Sequence, residues 1–432
     1  MDSKVQASDP PQVVAGNGLL DRRIFLKRGS WLFGAAASAG AASAAGAAGI
    51  GEHAPRWMTT PGMALREYGA PSAHAAIKRA VLKPYGDMAP GSGVSLTPLQ
   101  SIHGTITPNG LHFERSHNGV PDISPEQHEL FIHGLVKQPL KFSYNDLLRY
   151  PTITRICFIE CAGNSFFNSN LVPEPQQVPV GHLHGLISTA EWTGIPLSVL
   201  LDEAGIEPHG KWLLAEGADA AAMSRSIPIE KALDDVMLAL YQNGEPVRPE
   251  QGYPMRLVVP GFEGNMNVKW LRRLKVTATP TYTKDETSKY TELMPSGRSR
   301  LFTYAMGVKS TITQPSTGFN LTRQGIYEVS GLAWSGHGRI ARVEVSADAG
   351  KTWADAALSE PNLPMSPVRF RIPWRWDGAV STLMSRAHDD KGNVQVMRAE
   401  WSKQYAAGQL YHYNGIQAWK ISSSGEVSNV FA

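Results

Sequence analysis

Cysteine is almost absent from this chain: two residues in 432, Cys157 and Cys161. That excludes a disulfide scaffold, a four-cysteine zinc site and a protein-ligated iron–sulfur cluster. No Cys-x-x-Cys-His string occurs, so the chain carries no c-type haem of its own. Charge is scarce too, at 18%, and balanced at 41 Lys+Arg against 38 Asp+Glu. A coiled coil, a disordered chain and a basic nucleic-acid tail are therefore out. The Gly-x-Gly-x-x-Gly turn of dinucleotide-binding folds is missing after any strand-like run. What is plentiful is glycine (41), proline (30) and aromatic residues (9%), the texture of a loop-rich, strand-rich protein. At about 150 residues per domain, the length gives two or three domains.

Much of the small positive balance sits at the N-terminus. Residues 1–48 hold five cations (Lys4, Arg22, Arg23, Lys27, Arg28) and three acids (Asp2, Asp9, Asp21), leaving 36 against 35 elsewhere. Asp21-Arg22-Arg23-Ile24-Phe25-Leu26-Lys27 leads into a charge-free tract, 29–51, rich in Ala, Gly and Ser. The pattern resembles a twin-arginine export signal. A membrane anchor is the alternative, since the tract is long enough to span, but Ala and Gly supply little transfer energy. Small-x-small sites between 35 and 48 offer several cleavage points. The segment reads as an address outside the fold, and predicts a periplasmic, cofactor-bearing protein with no membrane span once the signal is removed.

Residues 49–97 read as a proline-rich N-terminal arm lying on the surface or on a partner subunit, with a short helix at 73–82. From 98 to 280, strand-like runs (129–135, 153–158, 255–259) alternate irregularly with helical pieces (143–150, 196–204, 229–240), which predicts an α+β domain. A polar connector covers 281–305. Residues 306–432 show period-two alternation at 325–334 and 340–346, a hairpin turn at Asp348-Ala-Gly-Lys, and further runs at 368–372 and 381–388, as in a β-sandwich.

Three segments carry chemistry. Cys157-Phe-Ile-Glu-Cys161-Ala-Gly-Asn164 delivers a thiol at a strand end into a loop where Gly163 permits, and Asn164 tolerates, positive φ. The thiol is a soft metal ligand, a nucleophile or simply a buried cysteine. A Cys157–Cys161 disulfide is excluded, because residues four apart in a strand lie about 13 Å apart. Phe113-Glu-Arg115-Ser116-His117 puts Arg115 and His117 on one side of an extended segment, suited to an oxyanion or phosphate. Arg256 lies in an otherwise apolar run and Lys269 precedes Trp270; a buried guanidinium there needs an anion, either a cofactor phosphate or a structural carboxylate. His182 and His184 lack a third ligand and read as a solvated loop. Asp234 and Asp235 read as helix surface, and the tryptophans from 334 onward as sandwich core or interface.

Taken in order, Cys161-Ala-Gly-Asn164, Ser188-Thr-Ala-Glu-Trp192, Ser226-Ile-Pro228, the string 252–261 and Val268-Lys269-Trp270 resemble the sulfite oxidase family of molybdopterin enzymes, with the strings around 331–353 resembling its immunoglobulin-like dimerisation domain. The resemblance implies an α+β molybdopterin domain followed by an all-β immunoglobulin-like sandwich, and one molybdenum with molybdopterin per chain. It implies Cys161 as the metal's thiolate ligand and Arg115 and Tyr290 as active-site groups. Phe113, Arg115, Ser116, His117, Asp219, Arg256, Val268, Lys269 and Trp270 match cofactor contacts.

Departures from the family bear on the substrate. Ser165-Phe166 stand where sulfite oxidases place two arginines, His182 aligns near an expected tryptophan, Gln251 replaces a histidine, and Tyr413-Asn414-Gly415 lacks an arginine. Losing those arginines weakens attraction for a small dianion. Within the family, such a pocket looks like the molybdenum subunits of Sox-pathway sulfane dehydrogenases. That likeness implies oxidation of a carrier-bound cysteine persulfide to the sulfonate level, as a step of thiosulfate oxidation. It also implies electron transfer to a c-type cytochrome subunit, and a homodimer through the sandwich, hence a heterotetramer. Free sulfite is the alternative substrate. A non-enzymatic sandwich adaptor with a degenerate cofactor domain is the reading from another class, and it predicts no molybdenum in the protein.

Overall fold

The computed structural model describes residues 12–21, 54–75, 77–82 and 89–432. The paired arginines, the tract 29–51 and its cleavage sites lie outside the described residues. Among the described residues no helix is long and apolar enough to cross a membrane.

Two compact units emerge, one of residues 23–78 and one holding everything else. In the smaller unit the described residues form a helical turn, Arg56–Thr59, and a 3-10 turn, Ala73–Ala75. The helix expected at 73–82 is thus only one turn. In the larger unit Ala80–Leu82 is a strand, in a three-stranded sheet with Gly93–Leu96 and Glu114–Ser116. Ala80–Leu82 and Gly93–Leu96 therefore share a sheet with the segment bearing Arg115.

Two five-stranded sheets build the α+β region. The first runs Ser224–Pro228, Trp212–Gly217, Leu271–Thr277, Glu129–Gly134, Leu140–Ser143, parallel only where Leu271–Thr277 meets Glu129–Gly134. In the second, Ile153–Glu160 pairs Ile187–Pro196, which pairs Met237–Gln242 and, beyond it, Glu245–Pro246 and Arg256–Val258. Apolar residues of both sheets and of helices Leu197–Ala204 and Ile229–Asp234 share one core. Ser143 and Asp146 form a capping box that starts the short helix Tyr144–Leu147. The helix expected at 229–240 stops at Asp234, and Met237–Gln242 is a strand. An apolar run of that length reads either way from periodicity alone.

The third region is the expected all-β sandwich. One sheet contains Lys309–Gln314, Gly325–Trp334 and Val368–Trp376; the other contains Ile340–Ser346, Ser381–Asp389, Ala418–Ile421 and Val427–Val430. Trp334, Trp374, Trp419 and Phe370 fill the core, which continues into the cofactor region through Phe158, Val180, Leu183 and Ile187. One expectation fails here. Residues 12–21, read as part of an address outside the fold, supply two strands to the first sheet, and Leu19 sits in its core.

Candidate active site

Ile153–Glu160 ends one residue before Cys161, so the strand delivers the thiol where its ladder stops. The loop beyond is tightly tied. The Cys161 amide donates to the Leu186 carbonyl at 2.9 Å, and the Asn164 amide donates to the Cys161 carbonyl at 2.8 Å. The Asn164 side chain donates to Glu160 at 2.8 Å and accepts from the Leu186 amide at 3.1 Å. The left-handed residue is Ser165, φ 69°, and not Gly163 as the sequence suggests. Burial pushes the Cys161 thiol up, while the Gly163 amide and Arg115 pull it down. Cys157 lies wholly inside, its thiol pushed by burial to about 12, and is core.

Cys161 opens into a cleft of about 690 Å³. All eleven residues expected at the site line it: Phe113, Arg115, Ser116, His117, Cys161, Asp219, Arg256, Val268, Lys269, Trp270 and Tyr290. The sheet holding Glu114–Ser116 aims Arg115, whose Nη1 also donates to Ser92 Oγ at 3.3 Å. Tyr290 comes from the connector, so that segment is part of the site. Its hydroxyl lies 3.1 Å from His117 Nε2, and its ring sits 5.3 Å from the Arg225 guanidinium. Burial, then Arg115 and Lys269, lower the His117 pKa to about 3, so the imidazole is neutral. Burial, reinforced by Cys161 and Tyr411, raises Tyr290 well above the usual phenol value, so its proton stays on.

The far end of the cleft is a cationic seat. Arg256 is 3% exposed; it donates to the carbonyls of Gln251 (2.8 Å) and Asn267 (2.9 Å) and lies 5.0 Å from the Trp192 ring. Lys269 donates to the carbonyls of Glu250 (3.0 Å) and Arg115 (3.3 Å). Among the described residues neither cation has a carboxylate within ion-pair distance, so no structural carboxylate pairs with Arg256. Burial lowers Arg256 to about 9; burial and then Arg256 lower Lys269 to about 7. An anion restores both charges. Asp219 Oδ1 and His112 Nε2 are buried without partners in the same cleft. Two orphan cations, an orphan acceptor and an orphan imidazole nitrogen suit a phosphate-bearing heterocycle, and a lone thiolate suits a soft metal carried by it. Among the described residues no cluster of three or more His, Cys, Asp or Glu could hold a metal by itself.

A wider mouth, about 870 Å³, reaches the same cysteine past Val94, Phe166, Leu186, Leu410 and Tyr411, with Lys284 and Lys289 also lining it. Phe166 faces this mouth. Ser165 does not: it is 1% exposed and bonds His184 Nδ1 (2.6 Å) and Lys309 Nζ (2.5 Å). Only one of the two substituted positions therefore reshapes the pocket. His184, expected in a solvated loop, lies fully inside on helix Val180–His184 and also contacts Gln417 at 3.1 Å. Asp234 is exposed as expected, but Asp235 is buried against Lys231 at 2.6 Å.

Several functional positions escaped the sequence reading. His112 and Asn265 line the cleft, and Leu410 and Tyr411 roof the mouth. The His112–Phe113 adjacency was the one available signal. Behind the cysteine, Glu160 accepts from Trp334 Nε1 (2.7 Å) and from Lys309 (3.2 Å), both sandwich residues. His412 donates its amide to the Ala162 carbonyl at 2.8 Å and sets Nε2 3.0 Å from Glu263, which also takes Arg225 at 2.9 Å. Burial alone would lower the His412 pKa; the hydrogen bond and charge of Glu263 outweigh it and raise it.

Comparison with known proteins agrees with this geometry. Residues 117–284 match the model of an oxidoreductase molybdopterin binding domain, and 300–418 that of a Mo-co oxidoreductase dimerisation domain. The chain is 32% identical over 400 residues to mitochondrial sulfite oxidase of Mus musculus, covering 85% of this chain and 71% of that protein. It is 33% identical over 352 residues to an NADH nitrate reductase of Cichorium intybus, covering 71% of this chain and 37% of that protein. The crystal structure of the sulfane dehydrogenase SoxCD from Paracoccus pantotrophus is similar with a TM-score of 0.84 and 44% identity, over 88% of this chain and 97% of that chain.

Proposed function

From a chain that belongs to the sulfite oxidase family of molybdopterin oxidoreductases, and so carries molybdenum with molybdopterin and oxidises sulfur, we propose oxidation of a sulfane sulfur held as a persulfide on a carrier protein's cysteine. The product is at the sulfonate level. One persulfide anion and three waters give the sulfonate, six protons and six electrons, in three two-electron cycles. Electrons leave to a c-type cytochrome subunit, since the chain has no haem-attachment motif. The Arg22-Arg23 leader supports a periplasmic location, and the match to a dimerisation domain supports pairing of two copies into a heterotetramer with the cytochrome.

The bound group supplies oxygen-atom transfer and takes up two electrons per cycle. The chain's residues do the rest. Cys161 would offer the thiolate. Arg256, Lys269 and His112, with the Asp219 carboxylate, would hold the pterin phosphate and ring. Arg115 would stabilise negative charge at the reacting end of the cleft. Neutral His117 shares a hydrogen bond between Nε2 and Tyr290 Oη and so holds the phenol at the cleft.

The observation that carries this reading is the wall of the mouth. Phe166, Leu186, Leu410 and Val94 wall the approach to Cys161; Arg115 is the one arginine in that mouth, with Lys284 and Lys289 also lining it. An apolar wall, with Phe166 in place of an arginine, suits a sulfur on a protein-borne arm better than a pocket closed by arginines does. Steady-state turnover with carrier-bound persulfide and with free sulfite, using one cytochrome acceptor, tests it: the persulfide should give the higher kcat/KM by at least about tenfold, a difference of about 1.4 kcal/mol. Faster turnover of free sulfite would sink the proposal in favour of a sulfite dehydrogenase. Phe166→Arg should raise kcat/KM for sulfite, whereas Ser165→Arg should unfold the loop. Cys161→Ser should abolish turnover with either substrate.

A further inference from the structure

The edge of the sandwich is closed by the segment that immediately precedes the paired arginines. Val13–Ala15 and Leu19–Leu20 pair antiparallel, and Leu19 continues the ladder onto Trp374. Leu19 and Leu20 are fully buried, and Ala15 packs on the same core. The turn between them is fitted to its seat. Trp374 Nε1 donates to the Asn17 carbonyl at 2.7 Å, the Asn17 side chain donates to the Ala347 carbonyl at 2.9 Å, and the Gly16 amide donates to Thr352 Oγ1 at 2.7 Å. Gly18 has φ +85°, and a Cβ there would strike the Arg375 carbonyl; one on Gly16 would strike the Asp348 carboxylate.

This seat draws on both sheets. Trp374 and Arg375 belong to one, while Ala347, Asp348 and Thr352 flank strands of the other, so it exists only once the sandwich is complete. A two-stranded hairpin of ten residues is marginal by itself in water, so its order depends on that seat. Arg22 and Arg23 follow Asp21 directly.

We propose that residues 12–21 dock in cis on the finished sandwich and so tie presentation of the Arg22-Arg23 leader to folding of the C-terminal domain. The coupling rests on the export-signal reading of 22–51; the docking does not. Cleavage within 35–48 cuts the hairpin's covalent tie, and the mature protein then carries an open edge at Trp374.

The test uses the full-length precursor and the leader variant Leu19→Asp/Leu20→Asp, whose mature product is unaltered once the leader is cut. Hydrogen exchange of amides 13–20 should be at least about tenfold slower in the parent than in the variant, with strand 325–334 equally protected in both. Protection should not change on dilution. Equal exchange in parent and variant, or protection lost on dilution, would overturn docking in cis. In exporting cells at least about twofold less of the variant than of the parent should reach the exported pool, because its leader stays undocked as in unfinished protein. Equal export of parent and variant would overturn the coupling. Export that persists in Arg22→Lys/Arg23→Lys would remove the leader reading and the coupling with it, while the exchange result stands separately.

Discussion

Two sets of cations around Cys161 are treated oppositely. Behind Cys161, Lys309 meets Glu160 at 3.2 Å and Arg225 meets Glu263 at 2.9 Å, every group at most 2% exposed. In the cleft, among the described residues, Arg256 and Lys269 bond to carbonyl oxygens and face aromatic rings, with no carboxylate at ion-pair distance. Around Cys161 the scaffold cations receive a carboxylate from the fold. The cleft cations do not, and burial depresses their pKa values. Arg369 in the sandwich, 3% exposed and bonded to the Ile102 and Gly104 carbonyls and to Thr313, shows that a missing carboxylate marks a site only where a cleft adjoins it.

Breaking a scaffold pair should cost the most. Lys309→Met leaves Glu160 buried and uncompensated, and should lower unfolding free energy by about 3–5 kcal/mol in urea titration; a loss below about 1 kcal/mol would erase the distinction. Arg115→Met should leave stability almost unchanged and lower kcat about 10²- to 10³-fold, roughly 3–4 kcal/mol of transition-state stabilisation, in single-turnover measurements. Arg256→Met should reduce molybdenum content of the purified protein about 10- to 100-fold. The cofactor-free form of that variant should be no less stable than its parent, since an orphan charge has gone.

The smallest effect is a slope. In cofactor-free protein the Lys269 ammonium titrates near 7 when folded, against the ordinary 10.5 unfolded. Between those values the unfolded chain holds a proton that the folded one lacks, so stability should rise with pH from 7 toward 10. Below 7 both states are protonated and this contribution is flat. Lys269→Met should remove the rise, and so should loading the cofactor. Persistence of the full slope in Lys269→Met would assign it elsewhere.

What the sequence made legible was whatever a residue declares locally. Arg256 inside an apolar run demands an anion wherever the chain goes, and Cys161 at a strand's end is exposed to chemistry by the strand itself. The two-period runs of the sandwich likewise announce themselves. Lys309, Glu263 and His412 declared nothing, because their meaning lies in partners about 150 residues away or on another domain. His184 was misread for that reason: its partners, Ser165 and Gln417, lie 19 and 233 residues away. Residues 12–21 were hidden by a different cause. An address is recognised by its arginines and composition, and neither registers that Leu19 and Leu20 also fit a core.

The clamp on Glu160 bears on inheritance. The residue before Cys161 is gripped by Trp334 and Lys309, and the residue after it by the His412 amide, so the loop's position is written in three places on a neighbouring domain. A lineage that exchanged its sandwich for a distant relative's would displace its own reactive sulfur. Recombination between such genes is therefore constrained to carry both domains together, and a laboratory chimaera should be joined upstream of Ala80 and not in the connector.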